Sequence, residues 1–370
     1  MATHLAAVAT SKSRPFETLQ RATLAPGPGE LLVAVRSVAL NPADMYMRDL
    51  GLLISTYPTV AGFDFSGLVL EIGEGVPVGS FQPGVSRVAG YASSFWRSFD
   101  SRYGAFQERC IVPWQHVISL PANLSWNHAA TLPVAVQVPL MAWDTLQLPR
   151  VGGSSSSKSL ESREKGEAIL IWGASSSVGT MGVQTARLLK QDENSCIVAV
   201  YATCGSANKD YVRSLGADIV FDYKDPGVVN ALVSVANEAN LVIRRCFLAM
   251  GQLAQCQSVL KAFTHDGQGG NGHGGLDGAR IASAPIIPQD AKNIDGVEVV
   301  FLQPPSDEDE RLERFRFAFG PWLTESLARG IIKPSPEPKV VGKGLESINQ
   351  SIDMLREGVS CTKLVVEVSE

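Results

Sequence analysis

The residues with most chemical content lie in one short stretch, Glu167-Ala-Ile-Leu-Ile-Trp-Gly-Ala-Ser-Ser-Ser-Val-Gly-Thr-Met-Gly182. Ala168 to Trp172 is apolar and uncharged, as a central strand buried on both faces would be. Gly173, Ala174 and Ser175 to Ser177 follow with little side-chain bulk, a helix opens at Ser177 to Gly179, and helical apolar spacing continues from Val183 to Lys190. A strand, tight turn and helix in this order let backbone N–H groups approach an anion at the positive end of the helix, and a diphosphate is the natural guest. The glycine fingerprint of such turns has glycine at its second position. Here the spacing is Gly173-x-x-Ser176-x-x-Gly179, with Ser176 in that place, and Val178 precedes the last glycine. Taken alone, the turn also suits small residues that serve only packing.

The following segments supply context. A second strand, Cys196 to Ala202, leads into Thr203-Cys-Gly-Ser206. An Asp or Glu that reads a ribose would stand there, and none does. Ser206, Asn208 and Lys209 stand there instead, with Arg213 one helical turn further. Hydroxyl, amide and cation suit a 2′-phosphate, which favours NADPH over NADH. The plainer alternative for Lys209 and Arg213 is a solvated helix face. A third strand, Asp218 to Tyr223, completes an alternation of strands and helices that predicts the first half of a doubly wound parallel sheet.

The whole chain sets bounds. Its 370 residues allow two domains, and 45% hydrophobic with 19% charged residues describe a globular chain with a full core. A net charge of −5 argues against a nucleic-acid surface. No apolar run reaches the roughly 18 residues of a membrane span. The start, Met1-Ala-Thr-His-Leu-Ala6, lacks the basic and apolar parts of a secretory signal, so the chain is expected to be cytoplasmic. Its six cysteines are scattered with no C-x-x-C pair, which reads as reduced thiols and neither a disulfide framework nor a zinc site.

Residues 1–125 read as β-rich. Glu30 to Arg36, Val38 to Leu40, Gly67 to Gly73, Ser86 to Gly90 and Phe106 to Val112 are short strands between Gly/Pro turns, which suggests a barrel-like domain. Ser125 caps a helix from Trp126 to Leu132, and a second helical stretch runs from Val134 to Leu146 despite Pro139. Val151 to Gly166 and Thr264 to Gly278 read as polar insertions, the second holding His265 and His273 in a glycine-rich setting that more often means solvent than metal. Leu241 to Ile243, Arg280 to Ala284 and Val297 to Leu302 read as further sheet strands, and Asp307 to Gly330 as one charged helix. Lys339 to Val341, an amphipathic helix from Leu345 to Glu357 and a strand from Lys363 to Val368 alternate as if the C-terminus completes the first domain. The expected division is 1–125 with 310–370, and 126–309.

Together these landmarks resemble the medium-chain dehydrogenase/reductase superfamily, in its zinc-free, quinone-oxidoreductase-like branch. The likeness runs over essentially the whole chain. It rests on Asn41-Pro-Ala-Asp-Met-Tyr46, Ala61-Gly-Phe-Asp-Phe-Ser-Gly67, Tyr103-Gly-Ala-Phe-Gln-Glu108, Ala129-Ala-Thr-Leu-Pro133, the Gly173 to Gly179 turn, Leu215-Gly-Ala-Asp218 and Phe221-Asp-Tyr-Lys224. Fungal zinc-binding-dehydrogenase-like proteins and trans-acting enoyl reductases that serve polyketide synthases are the most similar groups. The resemblance implies an α/β Rossmann cofactor domain with a β-rich GroES-like barrel domain. Zinc-dependent members carry Cys near position 41 and Gly-His-Glu where this chain has Gly62-Phe63-Asp64, and Ala92 to Tyr103, where a structural zinc would bind, contains no Cys. No metal is therefore expected.

The resemblance also implies site residues. Ala43, Asp44, Met45 and Tyr46 would line the nicotinamide, Ser175 to Val178 would hold the diphosphate, and Gly205, Ser206, Ala207 and Asn208 would face the 2′-phosphate with Lys209 nearby. Tyr223 would pack beside the adenosine ribose, Ser283 and Ala284 along the nicotinamide, and Val359 and Ser360 would close the site. Val134 to Met141, with Val138 between them, would border the substrate pocket. Tyr46 matches the quinone-oxidoreductase pattern, whereas several reductase relatives have Lys there. Arg244-Arg245 departs from the family, in which an acidic residue is usual.

Hydride transfer to an electron-poor C=C needs donor and acceptor carbons held close, water kept out, and a donor aimed at the carbonyl oxygen as enolate charge gathers. Tyr46 is the expected donor or positioning group, with Asn41 and Thr131 second. The alternative for Tyr46 is packing against the cofactor alone, and for Asn41 a turn residue before Pro42. The expected activity is NADPH-dependent reduction of an enone or enoyl thioester of secondary metabolism, the substrate small or carried by a synthase. Quinone reduction, or an NADPH-binding paralogue with little catalysis, are the alternatives. The chain would be a monomer or a dimer paired through the edge strand Val297 to Leu302.

Overall fold

The computed structural model describes residues 2–151, 166–193, 195–264 and 278–368. The two expected polar insertions, His265 and His273 included, lie outside the described residues apart from their end positions. The described chain divides into two units, Met1–Val134 with Pro305–Glu370, and Ala135–Pro304.

The first unit opens with β1 (Thr3–Ala9) and β2 (Glu17–Ala22), which pair antiparallel; β1 also pairs with β4 (Thr59–Val60). Residues 30–40 form one strand, β3 (Glu30–Ala39), where two were expected, because two bulges let it bend while keeping its register with β5 (Asp64–Ile72). Its residues are buried on both faces except Arg36, so the run shows little period-2 alternation. Between them lies α1 (Pro42–Leu50), opened by a proline at its first position and closed by Gly51 in the left-handed region at φ 61°. β6 (Arg87–Tyr91), β7 (Arg109–Pro113) and β8 (Val117–Ser119) follow. The expected cap at Ser125 is present: its hydroxyl accepts from the His128 N–H at the start of α2 (Trp126–Ala130). Ser66 donates to the Trp126 carbonyl and Ser37 to Asn127, which fixes α2 to this unit.

After α3 (Leu132–Thr145), the second unit runs β9 (Glu167–Trp172), α4 (Ser177–Lys190), β10 (Ile197–Cys204), α5 (Lys209–Ser214), β11 (Ile219–Asp222), α6 (Val228–Glu238), β12 (Val242–Leu248), α7 (Leu253–Lys261), β13 (Ala279–Ser283) and β14 (Val297–Phe301). All six strands are parallel, in the order β11-β10-β9-β12-β13-β14. This is the doubly wound Rossmann order, with its switch point between β9 and β10 on one side and β12 on the other. β9 is buried throughout because both its faces are covered. Ala168, Leu170 and Trp172 pack with α6 and α7 through Leu232, Ala236, Val259 and Leu260. On the other face Phe247 packs against Trp143 of α3, and α4 approaches it closely at Gly182. Burying each such Leu or Phe contributes about 2 kcal/mol.

The chain then returns to the first unit. The single helix expected over 307–330 is two, α8 (Glu308–Ala318) and α9 (Pro321–Ala328). Pro321 has no N–H to continue α8 and instead starts a new helix. β15 (Pro338–Lys343), α10 (Ile348–Arg356) and β16 (Lys363–Glu367) follow, and β16 joins β3 to give the order β15-β16-β3-β5-β6-β8, with β7 also on β3. The C-terminus thus supplies two strands of the first unit's main sheet.

Candidate active site

The turn after β9 has the geometry its composition suggested. Gly173 has φ 79°, and a Cβ there would fall 2.4 Å from the Met250 carbonyl oxygen. A Cβ on Gly179 would fall 2.4 Å from the Gly173 carbonyl oxygen. Neither position admits a side chain. Ser176, at the position where the fingerprint has glycine, is the N-cap of α4. Its hydroxyl donates to the Gly173 carbonyl at 2.8 Å and accepts from the Gly179 N–H at 3.2 Å. The serine therefore closes the turn on itself and satisfies one of the helix's first N–H groups. Ser177, next along, has a buried hydroxyl with no partner among the described residues. An orphaned hydroxyl at the first turn of a 14-residue helix, between two glycines without room for a side chain, fits an anionic oxygen. Thr203, at the end of β10, holds the turn from the neighbouring strand: its carbonyl accepts from Ala174 N–H and its hydroxyl from Gly173 N–H. Its role was not legible in the sequence, because it depends on pairing between β9 and β10.

At the end of β10, Ser206–Asn208 form a one-turn helix with Gly205 as its N-cap, and Ser206 and Ala207 are exposed. The Tyr223 ring lies 4.0 Å from where a Gly205 Cβ would be, so the structure brings Tyr223 to this turn. Arg213 is paired with Asp210 at 2.7 Å, whereas Lys209 makes no ion pair with any described residue. Ser283 is buried and its hydroxyl donates to the Pro285 carbonyl; Ala284 follows and bonds back to Leu248. Both lie at the carboxyl ends of the strands, the edge where ligands of such sheets bind.

Arg245 is at the other edge. Its guanidinium pairs with Glu167 at the start of β9 and donates to the Leu146 carbonyl, all within the buried interior of the second unit. The departure at Arg244-Arg245 is thus accounted for, at Arg245, by a buried ion pair at the amino end of the sheet, away from the ligand edge.

In the first unit, α1 presents Tyr46 outward, 39% exposed, and its hydroxyl bonds to no described residue. Ala43 and Met45 are half-buried beside it. Asp44 points the other way. It is fully buried, and its Oδ2 accepts from the Asn41 N–H at 2.7 Å while Oδ1 has no partner among the described residues. Burial pushes the Asp44 carboxyl up to about 7, against the Asn41 hydrogen bond, with Asp64 adding to the rise. Asn41 is equally enclosed: its Nδ2 donates to Asp64 at 3.0 Å and its Oδ1 accepts from Lys363 at 2.6 Å. Thr131 is buried, and its hydroxyl donates to the His128 carbonyl at 2.8 Å, so any substrate oxygen would have to displace that bond.

Val134, Val138 and Met141 share one face of α3 by their spacing, and the Val134 N–H donates to Asp64 at 2.8 Å. Val359 and Ser360 are exposed in the loop after α10.

Phe63 stands edge-on to Tyr91, with ring centroids 5.7 Å apart. Tyr91 joins Trp96, His116 and Phe315 in an aromatic cluster, in which His116 stacks on Phe315 at 3.9 Å. Burial pushes the His116 imidazole down to about 3, so it sits there uncharged. No three His, Cys, Asp or Glu side chains that could hold a metal ion come together among the described residues.

Comparison with known proteins agrees with this geometry. Residues 27–122 match the alcohol dehydrogenase GroES-like domain, which covers most of the β-rich part of the first unit. The chain is 35% identical over 369 residues to the trans-enoyl reductase tndF of Aspergillus flavipes, covering 98% of each. It is 30% identical to the dehydrogenase orsE of Emericella nidulans, covering 100% of each. Among solved structures, the quinone oxidoreductase from Coxiella burnetii superposes with a TM-score of 0.67 at 18% identity, covering 100% of both chains. No helix of the described residues is long and apolar enough to cross a membrane.

Proposed function

The chain belongs to the medium-chain dehydrogenase/reductase superfamily, an oxidoreductase family, alongside fungal trans-enoyl reductases and dehydrogenases, and from that membership we propose that it reduces an α,β-unsaturated carbonyl compound, an enone or enoyl thioester, with NADPH and without zinc. The observation that carries the reading is the buried, unpartnered Ser177 hydroxyl between Gly173 and Gly179. It is an anion cradle with no structural task left to do.

NADPH, when bound, supplies the hydride. Ser177 and the N–H groups of the first turn of α4 hold its diphosphate. Gly205 to Asn208 and Lys209, which makes no ion pair among the described residues, hold the 2′-phosphate, with no acid at that position to repel it. Tyr223 packs beside the adenosine ribose. Ser283 and Ala284, at the carboxyl end of β13, flank the nicotinamide. The Tyr46 hydroxyl, which bonds to no described residue, donates to the carbonyl oxygen as enolate charge develops. Val134, Val138 and Met141 offer the acceptor an apolar face that excludes water.

The donor set supports the zinc-free part of the reading. Where zinc-dependent members have Cys and His, Asn41 is saturated by Lys363 and Asp64, and Phe63 is an aromatic ring. A second cation would meet an ammonium already in place. The name trans-enoyl reductase, carried by relatives, supports an enoyl acceptor of secondary metabolism, presented free or on a synthase. Cytoplasmic location and a monomer or a dimer through β14 complete the proposal.

The test is NADPH oxidation followed with enoyl thioesters, enones and quinones side by side, with NADH in parallel. Turnover of quinones alone would replace the enoyl reading. Bound NADPH without turnover of any acceptor would point to a binding paralogue.

A further inference from the structure

Lys363 is 4% exposed, on β16. A buried ammonium is costly unless paired and hydrogen-bonded, and this one is both. Its Nζ lies 2.6 Å from Asn41 Oδ1 and 3.0 Å from Asp64 Oδ2. Asn41 in turn donates its side-chain amide to Asp64 Oδ2 and its backbone N–H to Asp44. The other oxygen of Asp64 accepts from the backbone N–H of Val134. Asp64 is fully buried, so every bond it makes is shielded from water.

The network therefore has two ends. One is Asn41, the residue that opens α1, five positions before Tyr46. The other is the backbone at Val134, the first of the apolar residues along α3. A buried ion pair, Lys363 with Asp64, joins them. The far end of α1 is held separately, by Arg48 on Asp353 and the Asn349 carbonyl and by Arg356 on Asp49.

We infer that Lys363 is a positioning residue for the reduction: through Asn41 and Asp64 its ammonium fixes, within the first unit, both the helix that carries Tyr46 and the backbone at Val134, and so holds the donor's orientation. This rests on the proposed reductase reading for its kinetic consequence, but not for its structural one. Donor geometry is sensitive to displacements of about an ångström, which can cost on the order of 100-fold in rate. Lys363 touches neither substrate nor cofactor in this role. Its effect passes through other residues.

The experiment uses the full chain and three variants, Lys363→Met, Lys363→Arg and the double variant Lys363→Met with Asp64→Asn. Lys363→Met leaves the Asp64 carboxylate buried without its cation and should lower Tm by about 10 °C or prevent folding. The double variant removes both charges. The new amide can donate to Asn41 Oδ1, so most of the lost Tm should return. Hydrogen exchange at the amides of residues 43–50 and 134–138 is then measured beside kcat, KM and NADPH affinity. The expected result is faster exchange at both ends of the network and a kcat at least about tenfold lower in the double variant. NADPH affinity should stay near wild type, and Lys363→Arg should recover much of kcat. A double variant with wild-type exchange at both segments would overturn the inference, as would wild-type kcat. If the wild-type chain turns over no acceptor while exchange still responds, the reductase reading fails and the positioning role stands.

Discussion

Asn41 and Ser177 both stand at the start of a helix, α1 and α4, and their side chains meet opposite fates. Every polar atom of the Asn41 side chain is engaged, by Lys363, Asp64 and Ala39, inside a unit that seals it from water. The Ser177 hydroxyl is buried too, yet engages nothing among the described residues. Native proteins leave few buried polar groups unpaired, because each one costs about 1–3 kcal/mol. A closed network is therefore explained by the fold that it holds, whereas an open one asks for a ligand. The contrast holds for these two side chains and not for whole units, since Asp44 of the first unit also keeps one buried oxygen without a partner among the described residues. Asn41 and Thr131 are engaged within the first unit, whereas the Tyr46 hydroxyl is exposed and bonds to no described residue.

The contrast can be broken most forcefully at Gly179. Gly179→Val puts a side chain where even a Cβ meets the Gly173 carbonyl oxygen at 2.4 Å. NADPH affinity measured by titration calorimetry should fall by more than about 100-fold, with far-UV circular dichroism retained. Affinity within about threefold of wild type would remove the cradle from the cofactor site.

Next in size is Lys209→Glu. An acid at the turn after β10 should repel a 2′-phosphate and accept a ribose hydroxyl, so the NADPH-over-NADH preference should drop by about 30-fold in kcat/KM. An unchanged ratio would leave Lys209 as a solvated cation.

Ser177→Ala sharpens the difference between the two helix starts. It deletes an orphaned hydroxyl, so Tm should hold or rise slightly, while NADPH binds about tenfold less tightly. A lower Tm with unchanged affinity would show that the hydroxyl serves the fold.

The smallest effects concern pH, and both come from the first unit. His116 sits well below its ordinary value, at about 3, through burial. The unfolded chain binds more protons there than the folded one, so stability is full above about 6.5 and declines as pH falls towards 3. Asp44 is raised to about 7, again by burial first. The folded chain then binds more protons between about 4 and 7, and stability declines as pH rises through that window. The two slopes oppose each other between about 4 and 6.5. Asp44→Asn should abolish the second and leave a Tm that falls only on the acid side. His116→Phe, which can still stack on Phe315, should flatten the acid side instead. Thermal melts from pH 4 to 8 check both, and a wild-type profile in either variant would contradict the assigned burial.

Much of this was legible in the sequence because it was local. The apolar run 168–172, the small residues to Gly179 and the helical spacing beyond specify β9, the turn and α4 without reference to any other segment. The missing acid after β10 could likewise be read in place. What could not be read was made by long-range contact. Lys363 lies 322 positions from its partner Asn41, and as a lone lysine beside an apolar run it gave no sign of burial. Arg245 stood out only as a departure from the family's usual acidic residue, because its partner Glu167 is 78 positions away. Thr131, by contrast, looked free only because the bond from its hydroxyl to the His128 carbonyl depends on how α2 ends. The break between α8 and α9 was written in Gly320-Pro321, but charged residues on both sides carried the helical pattern across it.

The central claim is that the Tyr46 hydroxyl serves enoyl reduction by NADPH. The most direct test is the rate of NADPH oxidation with an enoyl thioester, an enone and a quinone, for the wild type and Tyr46→Phe. The account expects turnover of the thioester or enone, with kcat about 100-fold lower in the variant and KM little changed. Turnover confined to the quinone, or a variant as fast as the wild type, would contradict it.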